Sequence, residues 1–414
     1  MQFSPSLLII GYVWPEPNSS AAGKRMMQLI SWFKQNNYFI VFATPAQETD
    51  FMVSLESFGI TCKSIALNDS SFDLFIKDLN PDLVLFDRFM MEEQFGWRVH
   101  KNCPNAIRIL DTEDLHFLRN ARQESFQKGE EIGLQDLQTD MAKREISSIL
   151  RCDCSLIISE FEMNLLVQTF KIDPKLLLYL PIWMDTKSIT SLEDFLPFGD
   201  RTDFVFIGNF WHEPNWHAVI YLKEKIWPFI RKKLPMANLQ IYGAYPSQKV
   251  FDLQNTKQGF IVNGRAEDAL EVITKAKVFL APLLFGAGLK GKLLDAMLAG
   301  TPSITTQIGA EGISGEFNWP GFVENNPEEF ALKAVELYTT KLLWEDCQKK
   351  GLEILRSRFS QNSFEENLKL KINYLVENID EHRLQNFMGS ILQHNSLAST
   401  KYMSKWIEEK NKLK

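Results

Sequence analysis

The chain has 414 residues, 45% hydrophobic and 23% charged, enough for two domains that each bury a core. Asp plus Glu outnumber Lys plus Arg by 52 to 45, a net charge of −7, which argues against a dedicated nucleic-acid binder with its basic excess. No apolar run reaches the length of about eighteen residues that a spanning helix needs, Met1 to Ile10 lacks a basic leader and a cleavage site, and Cys62, Cys103, Cys152, Cys154 and Cys347 show neither CxxC nor zinc spacing; a reducing, cytoplasmic setting is expected.

In chain order, Leu7 to Ile10 reads as a buried parallel strand, followed by a loop rich in Pro, Asn and Ser. A helix starting near Ala21 buries Met26, Leu29, Ile30 and Phe33. Strands are expected at Phe39 to Ala43, Leu83 to Phe86, Ile107 to Leu110 and Ser155 to Ile158, with helices between them. The pattern restarts at Phe204 to Gly208 and continues at Leu239 to Tyr242, Gly259 to Val262, Val278 to Leu283 and Ser303 to Thr306. Strands alternating with helices predict an α/β fold of two doubly wound, Rossmann-like domains. The linker is expected in Pro181 to Asp203, giving domains 1–190 and 200–358 and terminal helices 359–414. In the tail, Met403, Trp406 and Ile407 fall at helical spacing among Lys401, Lys405, Lys410, Lys412 and Lys414. That helix either docks on the protein's own core or lies on a membrane surface.

Phe285 to Gly312 carries the most chemistry. A buried strand enters a loop with Gly286, Gly288 and Gly291, and a helix follows with Leu293, Leu294, Met297 and Leu298 on one face. Free N–H groups at a helix start attract anions, and Lys290 and Lys292 add positive charge. The two lysines are two positions apart, so helical spacing points one of them inward, Lys292 by preference. Gly286 to Gly291 also fits the dinucleotide fingerprint GxGxxG, with Glu311 downstream as its ribose acid, although that fingerprint belongs to the first strand of a domain.

From about Thr202 to Gly312 the chain resembles the nucleotide-sugar domain of retaining, family 4 (group 1) glycosyltransferases of the GT-B fold. The resemblance rests on Phe204 to Phe210 with His212, Pro214 and Asn215; Leu239 to Gly243; Val262 to Arg265; Phe279 to Leu283; and Gly288 to Met297 with Gly300-Thr301-Pro302 and Gly309 to Gly312. Weaker resemblance covers the N-terminal half.

The resemblance implies a donor site in the second domain and an acceptor site in the first. Gly288 and the N–H groups near Leu289 would meet the diphosphate, and Asp295 the ribose. Gly264 and Arg265 lie where relatives contact the base, with a surface pair between Arg265 and Glu267 or Asp268 as the alternative for Arg265. Gly208, Asn209 and His212 replace the Arg and Lys with which many relatives grip phosphate. Ala287 stands where the family has an acid near the sugar, eight positions before Asp295, and Glu311 either supplies that carboxylate or caps a turn. In the first domain Gly23 would admit a ligand, and Lys24 and Arg25 would face donor phosphate, an anionic acceptor or solvent. Asp111, Asp114 and His116 are candidates for acceptor binding or proton handling, with Arg119 and Arg122 beside them.

No Asp-x-Asp, HExxH, Walker loop or nucleophile elbow occurs, and neither a metal nor a cofactor beyond the donor is expected. The expected activity is sugar transfer from a nucleotide-diphosphate donor to a glycan or lipid-linked acceptor. A nucleotide-sugar epimerase and a non-catalytic nucleotide-sugar or glycan binder are the alternatives.

Overall fold

Runs of Leu, Ile, Val and Phe buried on both faces pair well in parallel sheets. A computed structural model, which describes residues 4–185, 189 and 191–412 without the side chains of 395–398, arranges thirteen such strands in two sheets, with every pair parallel. The first half runs β1 (Ser6–Ile10), α1 (Ala21–Gln35), β2 (Phe39–Thr44), β3 (Thr61–Ser64), α2 (Ser71–Leu79), β4 (Leu83–Asp87), α3 (Phe89–Asn102), β5 (Ile107–Asp111), α4 (His116–Lys128), α5 (Asp140–Arg151), β6 (Cys154–Ile157), α6 (Glu160–Asn164) and β7 (Leu177–Tyr179). The sheet order is β3-β2-β1-β4-β5-β6-β7, so the strand order reverses between β1 and β4. Open α/β sheets place their ligand crevice at that point.

The second half runs β8 (Thr202–Ile207), α7 (Glu213–Tyr221), α8 (Trp227–Lys233), β9 (Leu239–Tyr242), α9 (Gln248–Phe251), β10 (Phe260–Gly264), α10 (Ala269–Lys275), β11 (Ala276–Ala281), α11 (Gly291–Leu298), β12 (Ser303–Thr305), α12 (Gln307–Ala310) and β13 (Gly321–Val323). Its order, β10-β9-β8-β11-β12-β13, reverses between β8 and β11. Four helices follow: α13 (Pro327–Thr339), α14 (Lys341–Arg358), α15 (Gln361–Gln385) and α16 (Phe387–Lys412).

Every strand expected from sequence is present. The three that were not expected, β3, β7 and β13, are all sheet edges. Edge strands are short and do not need an apolar run, and Thr61–Ser64 is mostly exposed. Within the expected linker, residues 186–188 and 190 lie outside the described residues. All five cysteines are free thiols. No helix among the described residues is long and apolar enough to cross a membrane.

After α14 the chain returns to the first sheet. Phe364, Leu368, Ile372 and Leu375 of α15 join the core that holds Leu7, Ile9, Leu83 and Leu85. Arg383 clamps its end: Nε and Nη2 each donate to Asp153 at 2.8 Å, while Nη1 reaches the Pro104 carbonyl and Nη2 also reaches that of Ala106, both at 2.7 Å. α16 then docks on α3 and α5, where Arg98 pairs with Glu408 and donates to Ser404. Its opposite face exposes Tyr402, Met403 and Trp406.

Arg383→Ala leaves the buried Asp153 carboxylate with only Arg108 beside it. It should lower unfolding stability by about 2–3 kcal/mol in a urea titration, less than for a fully buried pair because Arg383 is partly solvated. A change below about 0.5 kcal/mol would refute the clamp.

Candidate active site

The C-terminal strand ends of the two sheets face each other across a closed cleft. Polar contacts cross it at several points. Lys24 Nζ holds both oxygens of Asp295 at 2.8 and 2.9 Å. Arg122 grips Glu311 at 2.9 and 2.7 Å and the Gly286 carbonyl at 2.8 Å. The Gly288 amide donates to Glu162 Oε1 at 2.8 Å, and Tyr245 Oη to Glu16 at 2.6 Å.

On the second-domain side, the loop between β11 and α11 depends on its glycines. Gly288 has φ +64°, and a Cβ there would lie 2.8 Å from the Asp114 Cβ of the opposite domain. That steric demand, added to the left-handed backbone, requires glycine. Gly286 also has positive φ, +149°. Ala287, at the position without the family's acid, packs against the first domain's core. Leu289 is buried in the second domain's core. The helix begins at Gly291, two positions later than expected.

Both lysines point inward, contrary to the spacing argument. Lys290 caps α11 with φ −85° and ψ +80°, so it precedes the helix and helical spacing does not apply to it. Its Nζ donates to the Gly288 carbonyl at 3.0 Å and lies 3.8 Å from Glu311. Lys292 donates to Asn215, with its ammonium 4.7 Å from the centroid of the Phe206 ring. Burial lowers the Lys290 ammonium to about 8 against the pull of Glu311, and lowers Lys292 to about 7 against that of Asp295. A Cβ at Gly208 would fall 2.8 Å from Lys292 Nζ, so Gly208 makes room for that lysine.

Around this centre, Asn209 accepts from the Trp211 amide at 2.9 Å and reaches the Ser19 carbonyl at 3.5 Å. His212 is exposed, and partial burial of its ring, then Arg119, lowers its imidazole below the usual range. Gly264 has φ +76° and accepts from the Gly243 amide. Arg265 makes no surface pair with Glu267 or Asp268, because its guanidinium lies over the Phe51 ring of the first domain, 4.2 Å from the centroid, and Asp268 instead caps α10. Glu311 does not cap a turn, since Arg122 and Lys290 hold its carboxylate in the cleft.

In the first domain, three expectations change. Arg25 and Asp111 are fully buried and paired, with Nε 2.9 and 3.0 Å and Nη2 2.8 Å from the carboxylate, and Arg25 Nη1 bonds the Leu180 carbonyl. Neither faces a ligand. A Cβ on Gly23 would lie 2.4 Å from the Glu16 backbone, so this glycine lets its own loop fold close and does not make room for a ligand. His116 Nδ1 faces the Asp114 carbonyl at 3.1 Å, the ring packs edge-on against Phe89, and its backbone amide donates to Glu145.

Asp114 does stand at the cleft. Burial would raise its carboxyl, but Arg119, His116 and His212 hold it well below the usual range. Arg119 and Arg122 are neutralised by Asp114 and Glu311, which leaves no free arginine pair for an acidic acceptor.

Sequence reasoning missed Glu162, Asp87, Arg88 and Glu113. Burial and then Asp114 push the Glu162 carboxyl up to about 8. Its Oε1 accepts from the Gly288 and Leu115 amides, and its Oε2 is buried with no hydrogen-bond partner. Asp87, Arg88 and Glu113 lie at or just past the C-terminal end of β4 or β5, the signal that would have found them, and Glu162 lies in α6, the helix that follows β6. Among the described residues, no group of three or more His, Cys, Asp or Glu side chains could hold a metal ion.

Residues 201–340 match the family model described as glycosyl transferases group 1. A curated relative, an uncharacterized 44.6 kDa protein in the cps region of Klebsiella pneumoniae, is 28% identical over 115 residues, a match spanning 26% of this chain and 30% of that protein's length. Among solved structures, a glycosyltransferase from Rickettsia africae superposes with TM-score 0.65 at 12% identity, covering 90% of this chain and 99% of that one. HepE from Anabaena, solved with UDP and glucose, gives 0.66 at 12%, covering 90% and 100%. Sucrose-phosphate synthase from Thermosynechococcus elongatus gives 0.66 at 14%, covering 90% and 99%. The architecture is therefore GT-B.

Asp111→Asn strands the buried Arg25 charge and should lower unfolding stability by about 3–5 kcal/mol, read from urea midpoints. Pairing Arg25→Met with Asp111→Leu should recover most of that loss. Equal losses in the single and double variants would refute charge stranding as the cause.

Proposed function

We propose that the protein is a retaining glycosyltransferase that moves a sugar, a hexose or a close relative, from a nucleotide-diphosphate donor to a hydroxyl of a glycan or lipid-linked acceptor. The observation that carries this reading is the grouping of the Gly288 amide, Lys290 and Lys292 in the loop before α11 and its first turn, where a carboxyl oxygen of Glu162 already accepts from the amide. An amide that already donates to an acid's oxygen is placed to donate to a phosphate oxygen. Charge grows on a departing diphosphate, and fixed donors aimed at that charge are the main catalytic device such a site offers. The lysines and amide supply it with neither a metal nor a resident cofactor.

Asp295, released from Lys24, is the proposed partner of the ribose, and the Gly264–Arg265 turn that of the base. Gly208, Asn209 and His212 border the sugar phosphate. Asp114 stays ionised and is a poor proton acceptor; its proposed part is to orient a hydroxyl beside Gly288. Glu311 is proposed to steady Lys290. HepE, of the same fold, was solved with UDP and glucose, which supports a nucleotide-sugar donor here.

The exposed Tyr402, Met403 and Trp406, with Lys401, Lys405 and Lys410 on the same helix, support a seat for the tail on an anionic lipid surface, where a lipid-linked acceptor would be met. The protein should co-sediment with phosphatidylglycerol vesicles, and Trp406→Glu should abolish this. Equal sedimentation of both would remove the tail from the proposal.

UDP, GDP, ADP and NAD, each without metal, test the donor site. At about a hundredfold excess over Kd, the matching nucleoside diphosphate should raise Tm by about 4 °C or more, and Lys292→Ala should remove the shift. Binding recharges Lys292, whose free value is about 7. Affinity should therefore fall by about tenfold per pH unit between pH 7.5 and 9, more steeply once Lys290 contributes. A pH-independent Kd would exclude the lysines, and a shift with NAD alone would overturn the reading.

A further inference from the structure

α15 meets α16 at a corner beside the end of α5 and the loop before β7. A cavity of about 220 Å³ opens there, lined by Lys171, Lys175, His382, Phe387 and Met388, among others. Leu150, also in its wall, precedes β6, and Lys171 and Lys175 precede β7, so the cavity lies at the N-terminal strand ends. The cleft lies at the opposite ends, and none of the candidate active-site residues lines this cavity.

Three observations give the cavity the character of an anion site. The first is the start of α16. Asn386 caps it: its Oδ1 accepts from the Gly389 amide at 2.9 Å, while among the described residues the amides of Phe387 and Met388 donate to nothing in the protein. Free amides at a helix start favour an anion. The second is His382, 3% exposed. Its Nε2 meets the Asp153 carbonyl at 2.8 Å and so carries the proton, and its Nδ1 makes no hydrogen bond among the described residues. A polar nitrogen of a buried side chain is seldom left unpaired, and this one belongs to the cavity wall. The third is charge. Lys175 Nζ donates to Gln385 at 2.8 Å and Lys371 to the Lys175 carbonyl, and among the described residues neither these two nor Lys171 has a carboxylate within ion-pair distance. Asp173 is the one carboxylate in the lining, and its Oδ1 accepts from the Lys175 amide at 2.9 Å.

The rim selects the kind of anion. Leu384 is 80% exposed and Phe387 69%, with Met388 exposed beside them. Phe387, Ile391, Tyr402 and Trp406 follow at intervals of four, eleven and four residues, close to whole turns, and so form an exposed crest about 28 Å long on one side of α16. On the other side a Cβ at Gly389 would lie 2.2 Å from the Leu150 carbonyl, and Ser404 meets Arg98, which turns the crest outward. A free phosphate would leave these apolar groups in water, whereas a lipid covers them. The chain's net charge is −7, so no general attraction draws it to an anionic surface and a local cation site is needed.

We infer that the cavity holds the phosphodiester headgroup of an anionic glycerophospholipid. Lys171, Lys175 and the Phe387 and Met388 amides meet the phosphate, His382 Nδ1 accepts from a headgroup hydroxyl, and the crest of α16 lies in the lipid interface. The inference rests on the membrane seat proposed for the tail and adds a specific lipid contact at the other end of the same helix. Because the cavity is remote from the cleft, the lipid held here is an anchor and not a substrate.

Dihexanoyl-phosphatidylglycerol, kept below its micelle concentration and titrated calorimetrically into the full chain, tests the cavity apart from any bilayer. It should saturate at one per chain and bind about tenfold or more tighter than dihexanoyl-phosphatidylcholine or inorganic phosphate. Lys171→Gln with Lys175→Gln, both at exposed positions, should weaken it about tenfold, the weight of a charge-assisted hydrogen bond. Lys232→Gln with Lys233→Gln removes the same charge from the second domain and should leave binding unchanged. All forms should keep the parent's Tm. Equal binding of the two lipids, equal binding of inorganic phosphate, or equal effects of the two lysine pairs would overturn the inference. Saturable short-chain binding without co-sedimentation on phosphatidylglycerol vesicles would sink the membrane seat and leave the headgroup site standing. Co-sedimentation that Trp406→Glu abolishes, with no short-chain binding, would do the reverse.

Discussion

The carboxylate of Glu162 resting on the Gly288 amide is the contact around which the two domains are arranged. It joins α6 to the loop between β11 and α11, and the surrounding contacts follow from that closeness. Gly288 has no side chain because Asp114 lies against it. Arg122 reaches past the same loop to Glu311, and Lys24 reaches Asp295. In this closed form Asp295 and Glu311 occupy cations, and the Glu162 carboxyl occupies the amide, that a diphosphate would use. A donor taking the Gly288 amide must displace Glu162. On the proposed reading, the interactions that close the cleft would compete with donor binding, the energy of one being exchanged for the other.

The buried ionisable groups fall into two kinds. Arg25–Asp111, Arg151–Glu92 and Arg383–Asp153 are paired with good geometry and hold loops and helices to the first sheet. Removing one partner from such a pair is expensive because the other is left charged in a dry place. Asp87 and Glu162 each keep one buried carboxyl oxygen without a hydrogen bond, and Glu113, 9% exposed, makes none among the described residues. A neutralised partner explains an ion pair, whereas a free oxygen at a strand end needs another reason, and all three surround the cleft. Asp111 and Glu113 are two residues apart in sequence and fall on opposite sides of this division.

Much of the architecture was legible in the sequence because it is local. Leu7–Ile10, Val278–Ala281 and their counterparts declare themselves as apolar runs, and the glycines of the β11–α11 loop mark the proposed anion site. What escaped depends on partners distant in sequence. Nothing near Asp111 shows that Arg25 will neutralise it, and nothing near Arg265 announces Phe51. The spacing of Lys290 and Lys292 misled because it assumed a helix that begins only at Gly291. Asp87 ends β4 and Arg88 follows it, and both were readable by the same rule that singled out Asp111 at the end of β5. Edge strands such as β3 lack an apolar run because only one of their sides meets another strand.

The charge pattern in the cleft also ranks its cations. Lys24 is paired with Asp295, Arg119 with Asp114, Arg122 with Glu311, and Lys290 lies within reach of Glu311. Among the described residues Lys292 alone of these five has no carboxylate within ion-pair distance, only the amide oxygen of Asn215 and the face of Phe206. That isolation is why burial depresses its ammonium further than that of Lys290. An arriving anion breaks no pair at Lys292 and restores a charge that burial has suppressed. At the other four it must first exchange a partner. Lys292 is thus the contact at which an anion gains most for least rearrangement, and the small residue at Gly208 is what gives its side chain room to reach that position.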